Sequence, residues 1–554
     1  MSTETADAGR ESLFWADQIA GEIISRKKFH FTDDRIPKFN KYVVKTSASI
    51  SGVLHIGRLS DTIRGESVVR ALTDRGARAE FIWVAEDMDP LRSIPKGVPA
   101  GFEDYIGMPV TDIPDPFGCH RTYAEHHTAK YFEVLGDFVS VRMTRYSTRE
   151  EYKKGSFRPY IRKILDNIEL ARQIQDKYRE EPLPVTWSPW KPVCDNCGKI
   201  ITTSVKSFEG GRALYRCEDY DFEKRKAKGC GHEGENDPLK GNGKLVWKGE
   251  WAAEWAFWKV CSEGAGKEYQ VPNSAWWVNG EIVEKVLGYP MPVPIFYEHL
   301  IIDGEKMSAS RGNIVYPADW LKVATPELLK FFYNKRIMKT RSFSWGDLPK
   351  LYDDYDMHES VFYGKTKVEN DKEREHMKRL YAISQLKAPG KMPARVPFDF
   401  AAAIAQIACG KDLAAKGIEV LKRTGHISGS LSESDKKALS DRLMLARNWA
   451  DMYAPDRYKF IVQDRAAAKV DPKVLPVIRK LAEKLGEKEL KEEELMNLFY
   501  GLCKENGVNT KDFFRSMYNI LVSKDYGPRL APFILSIGRE KISKLLKEAK
   551  AAHG

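Results

Sequence analysis

The chain has 554 residues, 42% of them hydrophobic and 30% charged, a composition that excludes the disordered and collagenous classes and, at this length, implies several cores rather than one. Lysine and arginine outnumber aspartate and glutamate by 89 to 78, a formal charge of +11 that favours a polyanionic partner without requiring one. The first residues hold no basic stretch followed by an apolar one, no apolar run is long enough to span a membrane, and eight cysteines are too few for a disulfide framework, so a cytoplasmic protein with no membrane partner is expected.

In chain order, Tyr42 to Val44 reads as a short strand, followed by a turn of small residues from Ser47 to Gly52 and a helix running through Arg70 and Leu72. Phe81 to Ala85 reads as a second strand with Glu86, Asp87 and Asp89 at its carboxyl end, the pattern of a parallel sheet with polar groups at its rim. Residues 98–120 are rich in proline, glycine and aromatics and read as an insertion loop, while Glu150 to Arg179 has helical spacing. A cysteine cluster follows, and then Trp247 to Trp258 and Pro292 to Ile302 read as strand and loop. Beyond Asp347, leucine, alanine, lysine and glutamate dominate at helical intervals, as in Asp441 to Asp451 and Glu492 to Tyr500. The predicted fold class is α/β, a doubly wound parallel-sheet (Rossmann-type) domain over 1–320 with a zinc ribbon inserted at about 190–235, then a connecting helical region over 321–390 and an all-α domain over 391–554.

The segment Ser51-Gly52-Val53-Leu54-His55-Ile56-Gly57-Arg58 falls at the first strand-to-helix turn, where a helix N-terminus offers amide donors to an anion. Gly52 and Gly57 allow close backbone approach, and His55 is placed to donate to a phosphate as charge develops. Far downstream, Gly304-Glu305-Lys306-Met307-Ser308-Ala309-Ser310-Arg311-Gly312-Asn313 is a polar loop with one lysine and two serines suited to folding over a triphosphate.

Cys194-Asp195-Asn196-Cys197, with Cys217 and Cys230 beyond it, supplies four thiolates for a structural tetrahedral Zn²⁺, His232 being an alternative to Cys230. Asp115, Cys119, His120 and His126 form a second, mixed set of zinc-type donors at a spacing that matches no standard finger. Cys261, Cys409 and Cys503 read as packing residues.

An HxG turn followed some 250 residues later by a KMSAS loop resembles the paired signatures of the class I aminoacyl-tRNA synthetases. FWADQIAGEII at the N-terminus, Ile106 to Glu125, the MSASRGN loop, LARNWADMYAP from Leu445 to Pro455 and YGPRLAPFI near the C-terminus are similar to the class I lysyl-tRNA synthetase branch over nearly the whole chain. The resemblance implies in-line attack of the lysine carboxylate on the α-phosphate of ATP, loss of pyrophosphate, and transfer of the lysyl group to the terminal ribose of tRNA(Lys), with Mg²⁺ accompanying ATP. It implies catalytic roles for His55, Lys306, Ser308 and Ser310, ATP contacts at Gly52, His55, Gly57, Lys306, Met307 and Ser308, and an anticodon-binding role for the helical half. L-lysine would meet Ser47, Ser49, Ser51, Asp87, Asp89, Trp251, Tyr269 and Tyr297.

Three positions depart from the family pattern: Arg58 where the signature more often ends in His or Asn, Lys267-Glu268-Tyr269 in place of KDH, and Ala309 in place of Ser or Gly. One rival reading is a synthetase of the glutamate-like branch, which would want an arginine in the pocket, Arg58 being the obvious candidate. The other is an RNA-binding paralogue without chemistry, against which the intact His55 and Lys306 weigh. The sequence carries no signal of oligomeric state.

Overall fold

The structure, a computed structural model, describes residues 14–551 apart from 51, 54, 95–97, 100, 223–224, 308–313, 340, 409–411 and 467–468. Its centre is a five-stranded sheet built from β1 (Tyr42–Ser49), β2 (Ala79–Glu86), β3 (Met143–Ser147), β4 (Val260–Gly266) and β5 (Val293–Tyr297), in the order β5-β4-β1-β2-β3 and parallel at every pairing. Apolar and β-branched residues such as Val43, Val44, Phe81, Ile82 and Val84 cover both faces of the central strands, as a parallel sheet between helical layers requires.

Helix α1 (Trp15–Ser25) precedes the sheet, and α2 (Ile56–Asp74) links β1 to β2. Gly65 lets α2 settle close to the sheet, because a Cβ there would stand 2.9 Å from the Phe81 ring. The order in which strands are added reverses beside β1, which has β2 on one side and β4 on the other. The carboxyl ends of β1 and β4 therefore bound the crevice in which such sheets bind ligands.

Two expectations are corrected and one is refined. The β1–β2 ladder runs on to the pairing of Ser49 with Glu86, so Ser47 and Ser49 are strand residues rather than part of a loop. The stretch Glu150 to Arg179 is helical, as its spacing implies, but in pieces: the chain forms Thr148–Lys154, Arg158–Asp166 and Ile168–Asp176, broken at Gly155, whose φ is 78°, and at Asn167. Trp247–Trp258, expected as strand and loop, is a helix, α3, kinked at Lys248 and Gly249. Tryptophans at 247, 251, 255 and 258 recur at helical spacing, a period hidden by their bulk and by the glycine near the start.

The cysteine-bearing insertion holds an antiparallel sheet of Thr203–Glu209, Arg212–Cys217 and Glu233–Asn236. By its internal contacts the chain divides into two compact units. One comprises residues 1–318, 329–343 and 368–388; the other comprises 319–328, 344–367 and 389–554. The second is largely helical, with Leu481, Phe499, Phe513, Ile520, Phe533 and Leu545 in its main core and Tyr352 stacked on Phe398 at 4.1 Å elsewhere.

Candidate active site

A cleft of about 440 Å³ opens at the switch point. Ser47 and Ser49 come from β1, His55, Gly57, Arg58 and Asp61 from the start of α2, Glu86 from the end of β2, and Glu263 to Gly266 from β4. Trp247 and Trp251 of α3, Tyr269, Tyr297 and Met307 complete it.

At the phosphate-type end His55 caps α2 through its ring, its Nδ1 accepting from Gly57 N at 3.1 Å, which leaves the ring proton on Nε2. Burial, reinforced by the neighbouring Arg58 charge, brings the His55 imidazole down to about 4, so it is a neutral donor at physiological pH. The leading amides of α2 are not free as the sequence reading supposed: Ile56 N donates to Val315 O at 3.0 Å and Gly57 N to the ring. What this turn can offer an anion is therefore His55 Nε2–H and the helix dipole. A Cβ at Gly57 would lie 2.8 Å from both His55 Cε1 and Met307 Cε, and Gly52 has φ 149°, so both positions need glycine.

The other end of the cleft is acidic and aromatic. Glu263 accepts from Trp251 Nε1 at 2.9 Å, from Trp255 Nε1 at 2.5 Å and from Lys45 Nζ at 2.7 Å. Burial raises its pKa against the pull of Lys45 and the two indoles. Glu86 lies beside it, its carboxylate 3.3 Å from Lys45 Nζ. Asp61, raised by burial, accepts from Thr46 and Tyr297, and Arg64 lies over the Tyr297 ring at 4.6 Å. Gly264 cannot carry a side chain, since a Cβ would be 1.8 Å from Asp61 Oδ1.

Of the residues picked from sequence, the fold brings Ser47, Ser49, His55, Gly57, Trp251, Tyr269, Tyr297 and Met307 to one cleft. Ser51, Ser308 and Ser310 lie outside the described residues, and Lys306 is described only as the strand residue paired with Ile301. Asp87 does not line the cleft: its Oδ1 accepts from Thr148 Oγ1 at 3.0 Å and Arg149 N at 2.9 Å, capping the helix Thr148–Lys154, and burial pushes it up to about 6. Asp89 accepts from Ser49 Oγ at 3.0 Å and Lys244 Nζ at 2.8 Å, so its charge is met from within the chain. The sequence marks Glu86 only as part of a strand-end cluster and gives no motif for Glu263, Glu254, Asp61 or Lys45. A lysine inside an apolar strand, and glutamates at 250 and 254 one helical turn apart among tryptophans, were the available signals.

Both metal-type clusters assemble. The Cys194, Cys197, Cys217 and Cys230 sulfurs lie within 4.8 Å of one another, with Cys194–Cys230 and Cys197–Cys217 each at 3.7 Å. Sulfurs bound at about 2.3 Å to a tetrahedral zinc stand about 3.8 Å apart, so this donor set fits the ion. His232 is not part of that group; its carbonyl accepts from Cys217 N. Asp115, Cys119, His120 and His126 also converge, Cys119 Sγ standing 3.2 Å from His120 Nδ1 and 3.1 Å from His126 Nδ1, a carboxylate, thiol and two imidazoles that suit zinc.

Fold and cleft together define an α/β enzyme of the nucleotide-handling kind, with its cleft at the switch point of a parallel sheet. The family profile described as tRNA synthetases class I (K) matches residues 13–387. The lysine–tRNA ligase of Methanocaldococcus jannaschii is 34% identical over 542 residues, covering 95% of this chain and 98% of that protein. The lysine–tRNA ligase of Thermococcus kodakarensis is 34% identical over 547 residues, covering 97% and 99%. Among solved structures, a glutamate tRNA ligase from Elizabethkingia meningosepticum covers 91% of this chain and 98% of that chain at 13% identity and a TM-score of 0.39, a likeness too loose to carry an argument. The chain belongs to the class I tRNA synthetases of the K family.

Proposed function

We propose that the chain is a lysine–tRNA ligase that activates L-lysine with ATP as lysyl-adenylate and transfers it to tRNA(Lys) in the cytoplasm. The observation that carries the reading is the pair of buried carboxylates, Glu86 and Glu263, facing a cleft walled by Trp251, Tyr269 and Tyr297. An ammonium on an apolar stem satisfies such a pocket, whereas a carboxylate side chain would be repelled by it.

In this reading the substrate carboxylate attacks the α-phosphorus, the bond to the bridging oxygen breaks, and pyrophosphate leaves. His55 Nε2–H donates to a phosphate oxygen as charge builds, and Lys306, Ser308 and Ser310 supply further donors from their loop. Mg²⁺, when bound with ATP, supplies charge neutralisation on the phosphates. A hydroxyl of the terminal ribose then attacks the lysyl carbonyl and AMP departs. The four-cysteine ribbon and the Asp115, Cys119, His120, His126 set would each hold a structural Zn²⁺. The helical region over 391–554 is assigned to the anticodon and 321–390 to the connection.

The test is aminoacylation of tRNA with lysine, glutamate and arginine in turn, with a Lys306→Ala variant alongside. Lysine incorporation that collapses in the variant is the expected result. Charging with glutamate would overturn the pocket assignment, and no ATP use with any of the three would favour an RNA-binding protein without chemistry.

A further inference from the structure

Beneath the cleft, Lys45 is wholly buried in the central strand, and its ammonium lies 2.7 Å from Glu263, 2.8 Å from Glu254 and 3.3 Å from Glu86. Three carboxylates from three elements converge on one cation, and two of them, Glu86 and Glu263, face the cleft while Glu254 lies under it. We propose that Lys45 is a positioning residue that sets amino-acid specificity: its internal ammonium, bonded to Glu86 and Glu263, holds both carboxylates at the cleft wall, so that the cleft presents a fixed negative charge to the side-chain ammonium of the substrate. This rests on the lysine reading above.

Burial opposes the charge on Lys45, but the attraction of Glu254, Glu263 and Glu86 outweighs it and raises Lys45 well above the ordinary lysine value. Conversely, burial raises Glu263 and Glu254, and Lys45 pulls against it in both. Asp61 on α2 also feels the Lys45 charge. The next groups out are Glu250 of α3, Lys244, which bridges Glu250 and Asp89, and Tyr152, whose hydroxyl donates to Glu250 at 2.8 Å. Without Lys45, the pull that opposes burial at Glu263 would be lost, Glu263 would take up a proton at higher pH, and that proton would cancel charge that the substrate needs.

The experiment measures the lysine KM in aminoacylation across the neutral range for the wild type, Lys45→Met and the double variant Lys45→Met/Glu254→Gln, which removes one buried charge of each sign and so spares the fold. The expected result is a wild-type KM that barely moves and a variant KM that rises as pH falls, approaching roughly tenfold per pH unit, with kcat less affected. A merely structural role for Lys45 would lower stability without adding that inflection. A flat KM in both variants, with the wild type charging lysine normally, overturns this inference alone. Wild-type protein that charges no lysine overturns the functional reading and this inference with it.

Discussion

His55, which lines the cleft, caps α2 through Nδ1, which leaves Nε2 as its ring donor. Removing the ring in His55→Ala is expected to lower kcat for adenylate formation by about 100- to 1,000-fold with little change in lysine KM, the pattern of a lost transition-state donor, read by pyrophosphate exchange or single-turnover charging. Its titration also bears on stability. The folded imidazole, at about 4, binds a proton less readily than the unfolded one at 6.5, so its contribution is fully present above 6.5 and is lost as pH falls toward 4. Urea midpoints followed over that window should drop more steeply in the wild type than in His55→Ala. Asp87 makes the opposite case: chosen from sequence as a substrate contact, it caps a helix instead. Asp87→Ala is expected to cost about 1 kcal/mol of stability in denaturant unfolding while leaving lysine KM within roughly twofold. Nothing in a strand-end acidic run tells which carboxylate turns inward to cap a neighbouring helix, and that choice is made by Thr148 and Arg149, some 60 positions away.

At the scale of elements, the sequence was most readable where one rule acted alone. The four cysteines, spaced as a knuckle and two returns, converge as their spacing implied, because thiol positions on short hairpins leave few other arrangements. Cys217→Ser is expected to lose one zinc per chain by elemental analysis and to speed amide exchange across 194–236, while the parallel sheet keeps its protection. The tryptophan helix was misread because aromatic residues favour strands and Gly249 interrupts the first turn, whereas the packing of Trp251, Trp255 and Trp276 against one another, at 4.9–5.3 Å, fixes the segment as a helix. The acidic floor of the cleft was missed for a related reason: its members come from β1, β2, β4 and α3, and no local pattern marks residues 45, 86, 254 and 263 as neighbours.

Over the whole molecule, the α/β character of the first part and the helical character of the second were legible from composition and period, since those signals accumulate over long windows. The unit boundaries were not, because segments 319–328 and 344–367 pack with the C-terminal helices although the chain returns to the first unit between and after them. The excess of 89 basic over 78 acidic residues predicts that tRNA affinity falls steeply with salt, by about tenfold or more between 50 and 200 mM, whereas the KM for lysine, on the proposed reading that it meets buried carboxylates, changes little; filter binding and initial rates at several salt concentrations would check both. On the near side of the KMSAS serines a two-residue ladder pairs Ile301 with Lys306 and Ile302 with Glu305; on the far side the Val315 carbonyl accepts from Ile56 N, while Tyr333 donates to the Ile56 carbonyl at 2.9 Å. Both roots are thereby pinned, one of them to the very turn that orients His55. In terms of tolerated change, Tyr333 is constrained from a distance: Tyr333→Phe would release the Ile56 carbonyl and loosen the turn that sets the His55 ring.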